Sequence, residues 1–122
     1  MTIDAKRRSL RGDWPLGIVR ARRFFRIALL ASALGCARKP STHVITIQNF
    51  KFVPAKLAVF SGDTIVFRNL DVVPHSAVDD AGHFDSRAID NSKTWTYRVP
   101  RAGTLTYHCA QHPVMKGELD VQ

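Results

Sequence analysis

The stretch Tyr107-His108-Cys109-Ala110-Gln111-His112-Pro113-Val114-Met115 sets a thiol, an imidazole and a thioether at even intervals, C-x-x-H-x-x-M. Soft sulfur combined with imidazole selects copper, and a thiolate with two imidazoles and a weak axial thioether makes a redox-active copper site. This stretch supplies one imidazole at the right spacing. The rest of the chain must supply the second, and a scaffold stiff enough to hold the loop closed.

Side chains on a strand alternate between faces. Leu105, Tyr107 and Cys109 share one phase, so the thiol points with the core residues. His108 falls in the opposite phase and is rejected as a ligand. Pro113 and Gly117 interrupt any strand beyond Cys109, so a tight loop is expected to bring His112 and Met115 round to the thiol.

Upstream of this loop the sequence has no helical periodicity. Short β-type runs at 44–47, 57–60, 64–68, 94–99, 104–108 and 118–121 are separated by Gly, Pro, Asn and Asp. Ile45 and Ile47 share a face, as do Ile65 and Phe67; Trp95, Tyr97 and Val99 are expected to point inward. Residues 79–93, rich in Asp and holding Gly82, read as a long connection between sheets with one short irregular strand. This pattern predicts an all-β sandwich or barrel. A domain of about 80 residues buries little core and gains from a bound metal.

The chain holds 18 Lys and Arg against 10 Asp and Glu, a net charge of +8. The excess is local. Residues 1–35 carry eight basic side chains and two acidic ones; residues 36–122 carry ten and eight, a net +2. Without a basic domain, nucleic-acid binding loses its main support.

The N-terminal charge belongs to an export signal. Arg22-Arg23-Phe24-Phe25-Arg26 precedes a short apolar run, 27–35. That run is too short for a good membrane span. The paired arginines resemble a twin-arginine motif, with an ordinary Sec signal as the other route. Ala33-Leu34-Gly35-Cys36 resembles a bacterial lipobox, in which Cys36 becomes a lipidated first residue; Ala33 stands where Leu is usual. Cleavage after Ala31-Ser32-Ala33 is the competing reading, and a Cys36–Cys109 disulfide is the bland one. The expected organisation is an export signal with a lipobox over 1–36 and one domain over 37–122, placed in a bacterial periplasm.

Three histidines compete to complete the site. His43 precedes the first strand and is expected to be exposed; His83 lies in the long connection. His75 follows the third long strand in Val73-Pro74-His75-Ser76, where Pro74 stiffens the approach. His75 is the predicted partner of Cys109, His112 and Met115.

Together Phe52-Val53-Pro54, Gly62-Asp63-Thr64-Ile65-Val66-Phe67, Asn69, Pro74-His75-Ser76, Phe84-Asp85-Ser86 and the run Gly103 to Gly117 resemble the plastocyanin/amicyanin group of cupredoxins. The two-residue second interval of the ligand loop is similar to amicyanin. The resemblance implies a Greek-key β-sandwich with one type 1 copper. His75, Cys109 and His112 would be equatorial ligands and Met115 the axial one. It implies a monomeric electron carrier, not an enzyme, that meets transient redox partners near His112, Pro113, Val114 and Pro74. Ser76 stands where the group typically has Asn, and Val114 where amicyanin has an aromatic residue.

Other readings fit less well. A copper-handling protein usually relies on Met-rich sites, and the chain has only Met1 and Met115. A binuclear copper site needs two cysteines in one loop. Copper-dependent catalysis needs a second site or domain. Zinc makes little use of thioethers.

Overall fold

The computed structural model describes Gly35 and residues 37–122. The expected export signal and Cys36 therefore lie outside the described residues. The described chain runs through eight strands: β1 (Thr42–Gln48), β2 (Lys51–Val53), β3 (Lys56–Val59), β4 (Thr64–Asn69), β5 (Val78–Asp79), β6 (Thr94–Arg98), β7 (Gly103–His108) and β8 (Lys116–Val121).

They form two four-stranded sheets, ordered β2-β1-β4-β6 and β3-β8-β7-β5. β1 pairs with β4 and β3 with β8 in parallel; the other pairs are antiparallel. Parallel neighbours cannot be joined by a tight hairpin. The chain must therefore cross between sheets, and the result is the expected all-β Greek-key sandwich.

Alternation fills the space between the sheets. Ile45 and Ile47 of β1 and Ile65 and Phe67 of β4 are fully buried, facing Val59, Tyr107, Leu119 and Val121 of the other sheet. Fully burying a side chain of this size contributes about 1.5–3 kcal/mol. Tyr107 is the centrepiece, meeting Phe52 edge-on at 4.8 Å and Phe67 at 5.4 Å between ring centroids. Val99 is buried as expected, but Trp95 and Tyr97 are only half-buried. Phe84 packs over Tyr97 at 4.4 Å and over Trp95 at 5.7 Å.

The long connection is more ordered than its composition suggests. The short strand expected in it is β5, Val78–Asp79, at its leading edge, and two isolated bridges tie the rest back, Asp85 to Val78 and Ile89 to His75. The second long strand stops one residue earlier than the apolar run predicts. Phe60 turns out of it, because its N–H donates to Asp63 Oδ2 at 3.1 Å.

β1 and β4 run in the same direction, so Thr42 and Thr64 lie at one pole and Gln48 and Asn69 at the other. Seven residues of strand separate the poles by roughly 20 Å. Asp63, fully buried, organises the first pole. It accepts hydrogen bonds from Ser41 N–H at 2.8 Å and Arg38 Nη1 at 3.0 Å, and pairs with His43 Nε2 at 2.9 Å. The Ser41 N–H contributes most to holding its carboxyl far below the usual range; desolvation opposes this, and His43, Phe60 and Arg38 add to it.

Candidate metal centre

The second pole is shaped by Asn69, the last residue of β4. Its buried amide donates to Val73 O and Ile89 O, both at 2.8 Å, and its Oδ1 accepts from Asp71 N–H at 2.9 Å. The loop after β4 is thus folded around one side chain. It delivers His75 to a two-way backbone bridge with Ile89, at 3.2 and 2.7 Å. His75 is fully buried.

Asp71 fixes the orientation of that histidine. Its Oδ2 lies 2.9 Å from His75 Nε2, which leaves Nδ1 facing inward. The same carboxylate accepts the N–H of Asn49 at 2.7 Å and of Phe50 at 2.9 Å. Desolvation is the largest influence on this carboxyl and raises it. The Phe50 and Asn49 N–H groups and His75 together outweigh desolvation, so Asp71 ends below its usual range.

Asn49 and Phe50 are the two residues of the β1–β2 hairpin, with φ of 52° and 57°. A two-residue turn of this hand needs positive φ at both positions. Asn adopts it readily, whereas a bulky residue there is a real outlier. Asp71 holds Phe50 in place, and its ring stands edge-on against His75 at 5.2 Å and His112 at 5.0 Å.

The loop after β7 closes as its sequence predicts. Cys109 is fully buried and Met115 is 2% exposed. Met115 N–H donates to His112 O at 2.9 Å, and Cys109 N–H donates to Met115 O at 3.1 Å. These two bonds draw both ends of the loop together.

Three donor atoms converge between the two loops. Cys109 Sγ lies 3.7 Å from His75 Nδ1 and 3.7 Å from His112 Nδ1, and the two nitrogens are 3.2 Å apart. All three donor atoms lie within 4.8 Å of one another. Two imidazole nitrogens and a sulfur, with Met115 buried beside them and no carboxylate in the cluster, suit copper's preference for nitrogen and soft sulfur. Ser76 N–H faces Cys109 Sγ at 3.4 Å, and its side-chain Oγ ties the two loops by accepting from Ala110 N–H at 2.9 Å.

The remaining histidines are each claimed by an aspartate. His43 sits against Asp63 and His83 against Asp79, while His108, as its strand phase requires, turns to Asp80 at 2.6 Å. Sequence reasoning did not identify Asp71, Phe50 or the contact of Gln111 with the sulfur. Asp71 had a usable signal, since it lies four residues before His75. Phe50 had none, because the runs read from the sequence, 44–47 and 57–60, leave out β2, and the two-residue turn shows only once β2 is in place.

A family model for copper binding proteins of the plastocyanin/azurin family matches residues 41–122. Amicyanin from Paracoccus denitrificans is 30% identical over 84 residues, covering 65% of this chain and 64% of that protein. The chain thus spans just under two thirds of the length of that relative. Amicyanin-alpha from Methylorubrum extorquens is 26% identical over 103 residues, covering 78% of this chain and 86% of that protein. Among solved structures, a methionine-to-alanine mutant of amicyanin in its Cu(I) form aligns with a TM-score of 0.62 at 26% identity, over 66% of this chain and 82% of that one.

Proposed function

The chain belongs to the plastocyanin/azurin family of copper-binding proteins, and from that premise we propose that it is a periplasmic one-electron carrier whose type 1 copper would be held by His75, Cys109 and His112, with Met115 as a weaker sulfur donor. The convergence of His75 Nδ1, His112 Nδ1 and Cys109 Sγ within 4.8 Å carries this reading. Bound copper supplies the Cu(I)/Cu(II) couple.

The chain's own residues keep the site rigid and dry. Asp71 fixes one ring nitrogen of His75, so the ring presents the other at constant angle. The two backbone bonds of the ligand loop restrict His112 and Met115. Little movement between oxidation states keeps the barrier to electron transfer small. Phe50 excludes water from the outer edges of both imidazoles.

His112 is the exit for the electron, since it is the ligand that keeps partial exposure. Val72 and Val114, 88% and 89% exposed, stand on the ligand-bearing loops. With Pro74 and Pro113 they form a small apolar docking face, the size that weak redox encounters use. The domain acts as a monomer, transforms no substrate and passes electrons between larger redox proteins. Residues 1–36 direct export, and Cys36 anchors the domain to the membrane through lipid.

Loading the 37–122 domain with Cu(II) tests the reading by its visible spectrum and electron paramagnetic resonance. The expected result is an intense thiolate-to-copper band with narrow hyperfine splitting, lost reversibly on reduction. Cys109→Ser should abolish the band, and Met115→Leu should keep it while shifting the potential. A weak tetragonal signal would favour a copper-handling protein without electron transfer. Mass spectrometry of the membrane fraction checks the acylation of Cys36.

A further inference from the structure

Two side chains beside Cys109 do more than hold the ligand loops together. Ser76 Oγ donates to Gln111 Oε1 at 2.8 Å and accepts from Ala110 N–H at 2.9 Å. The Cys109 thiol donates to the same Gln111 Oε1 at 3.2 Å. Gln111 is an exposed residue, yet its amide reaches back over the buried sulfur. Ser76 Oγ also lies 3.8 Å from Cys109 Sγ. A hydroxyl has a single proton, and this one is directed at Gln111. The sulfur is left with one clear donor, Ser76 N–H.

A cysteine sulfur bound to a metal is a thiolate and can only accept. An amide oxygen 3.2 Å away would then set acceptor against acceptor. The glutamine amide has an oxygen and an NH2 at two ends of a planar group of nearly symmetric shape. A half-turn about its terminal bond exchanges them without moving the stem. With the NH2 inward, Gln111 donates to Cys109 Sγ and to the free lone pair of Ser76 Oγ. The Ser76 proton is then released to point at the sulfur. The same residues offer the sulfur one donor in the first arrangement and up to three in the second.

The geometry points to Gln111 as a positioning residue for electron transfer: its amide, acting with Ser76, sets how many hydrogen bonds the Cys109 sulfur receives, and so tunes the potential of the copper. The inference rests on the copper-carrier reading. Donors on the sulfur draw charge away from it, weaken its donation to Cu(II) and favour Cu(I). The turned amide therefore raises the potential.

The test compares copper-loaded wild type with Gln111→Met, which keeps the length of the stem and removes the amide, and with Ser76→Ala and the double variant. Gln111→Met should keep the thiolate-to-copper band and shift the preference between Cu(I) and Cu(II) about tenfold toward Cu(II). For one electron that is a fall of about 59 mV in potential. The double variant should fall by less than the two single shifts combined, because both act on one network. In the diamagnetic Cu(I) form, the Gln111 side-chain N–H protons should exchange slowly with water and shift from their apo positions. An intact band in wild type, with Gln111→Met unchanged in potential and fast-exchanging Gln111 protons, overturns the inference and leaves the carrier reading standing. A wild-type protein with no such band overturns both.

Discussion

Asp71 Oδ2 lies 2.9 Å from His75 Nε2, and the other nitrogen of that ring faces Cys109 Sγ at 3.7 Å. The imidazole is thereby oriented from behind by a carboxylate. The same carboxylate pins the Asn49-Phe50 turn, whose aromatic ring covers both imidazoles. One side chain links the aim of His75, a candidate ligand, to the apolar cover of the site.

Replacing Asp71 should therefore act on metal binding more than on the fold. Losing such a partner of a ligand histidine typically costs 10–100-fold in metal affinity. Asp71→Asn should fall in that range in a chelator competition, with the sheet structure retained by circular dichroism. An affinity within about twofold of wild type would show that the loop alone orients His75.

Phe50 is held at a φ that disfavours bulky residues, so its ring is kept for what it covers. Phe50→Gly should change stability by no more than about 1 kcal/mol, because glycine relieves the turn while the lost packing offsets the gain. A wetter site favours the more highly charged oxidised form, so the potential should fall. Voltammetry beside denaturant unfolding separates the two effects.

Gly117 lies opposite Tyr107 across the β7–β8 pair, and a Cβ there would overlap the tyrosine ring. Both are buried in regular sheet, where neither can move aside cheaply. Gly117→Ala should destabilise by about 1–3 kcal/mol. Tyr107 Oη has no hydrogen-bond partner among the described residues, and burial pushes its acidity far down, raising its pKa. Tyr107→Phe removes a buried polar group without opening a cavity, and should be neutral or stabilising by up to about 1 kcal/mol. Urea unfolding checks both, with a lower midpoint expected for Gly117→Ala and an unchanged or higher one for Tyr107→Phe.

Acid should destabilise the domain chiefly through Asp63, at the pole opposite His75 and Cys109. Asp63 is held below its ordinary value of 3.8 in the folded state. Its contribution is full above that value and is lost as pH falls through it toward the folded value. The unfolding midpoint of wild type should drop steeply below about pH 4. Asp63→Asn should be less stable at pH 7 and show a shallower acid slope.

The fold was legible in the sequence because a half-buried strand must alternate. Ile45 with Ile47 and Ile65 with Phe67 expose that period directly. Trp95 and Tyr97 were harder to place, since Phe84 packs over them from a connection with no periodic signal. Phe60 broke the apolar pattern because a buried carboxylate captured its N–H. Among the site residues, Cys109, His112 and Met115 were readable from local spacing. His108 was excluded by strand phase alone, and its turn toward Asp80 agrees.

The sequence by itself determined the strand alternation, the inward direction of Cys109 and the spacing of Cys109, His112 and Met115, because each depends on residues a few positions apart; His75, 34 positions from Cys109, meets it only in the fold. Only the tertiary structure decided what surrounds the donors. Asp71 meets the Asn49-Phe50 turn from 21 or 22 residues away, and Ser76 meets Gln111 across 35. Such contacts depend on which strands become neighbours. The parallel pairing of β1 with β4 sets the hairpin tip beside the histidine loop, and no local pattern encodes that pairing.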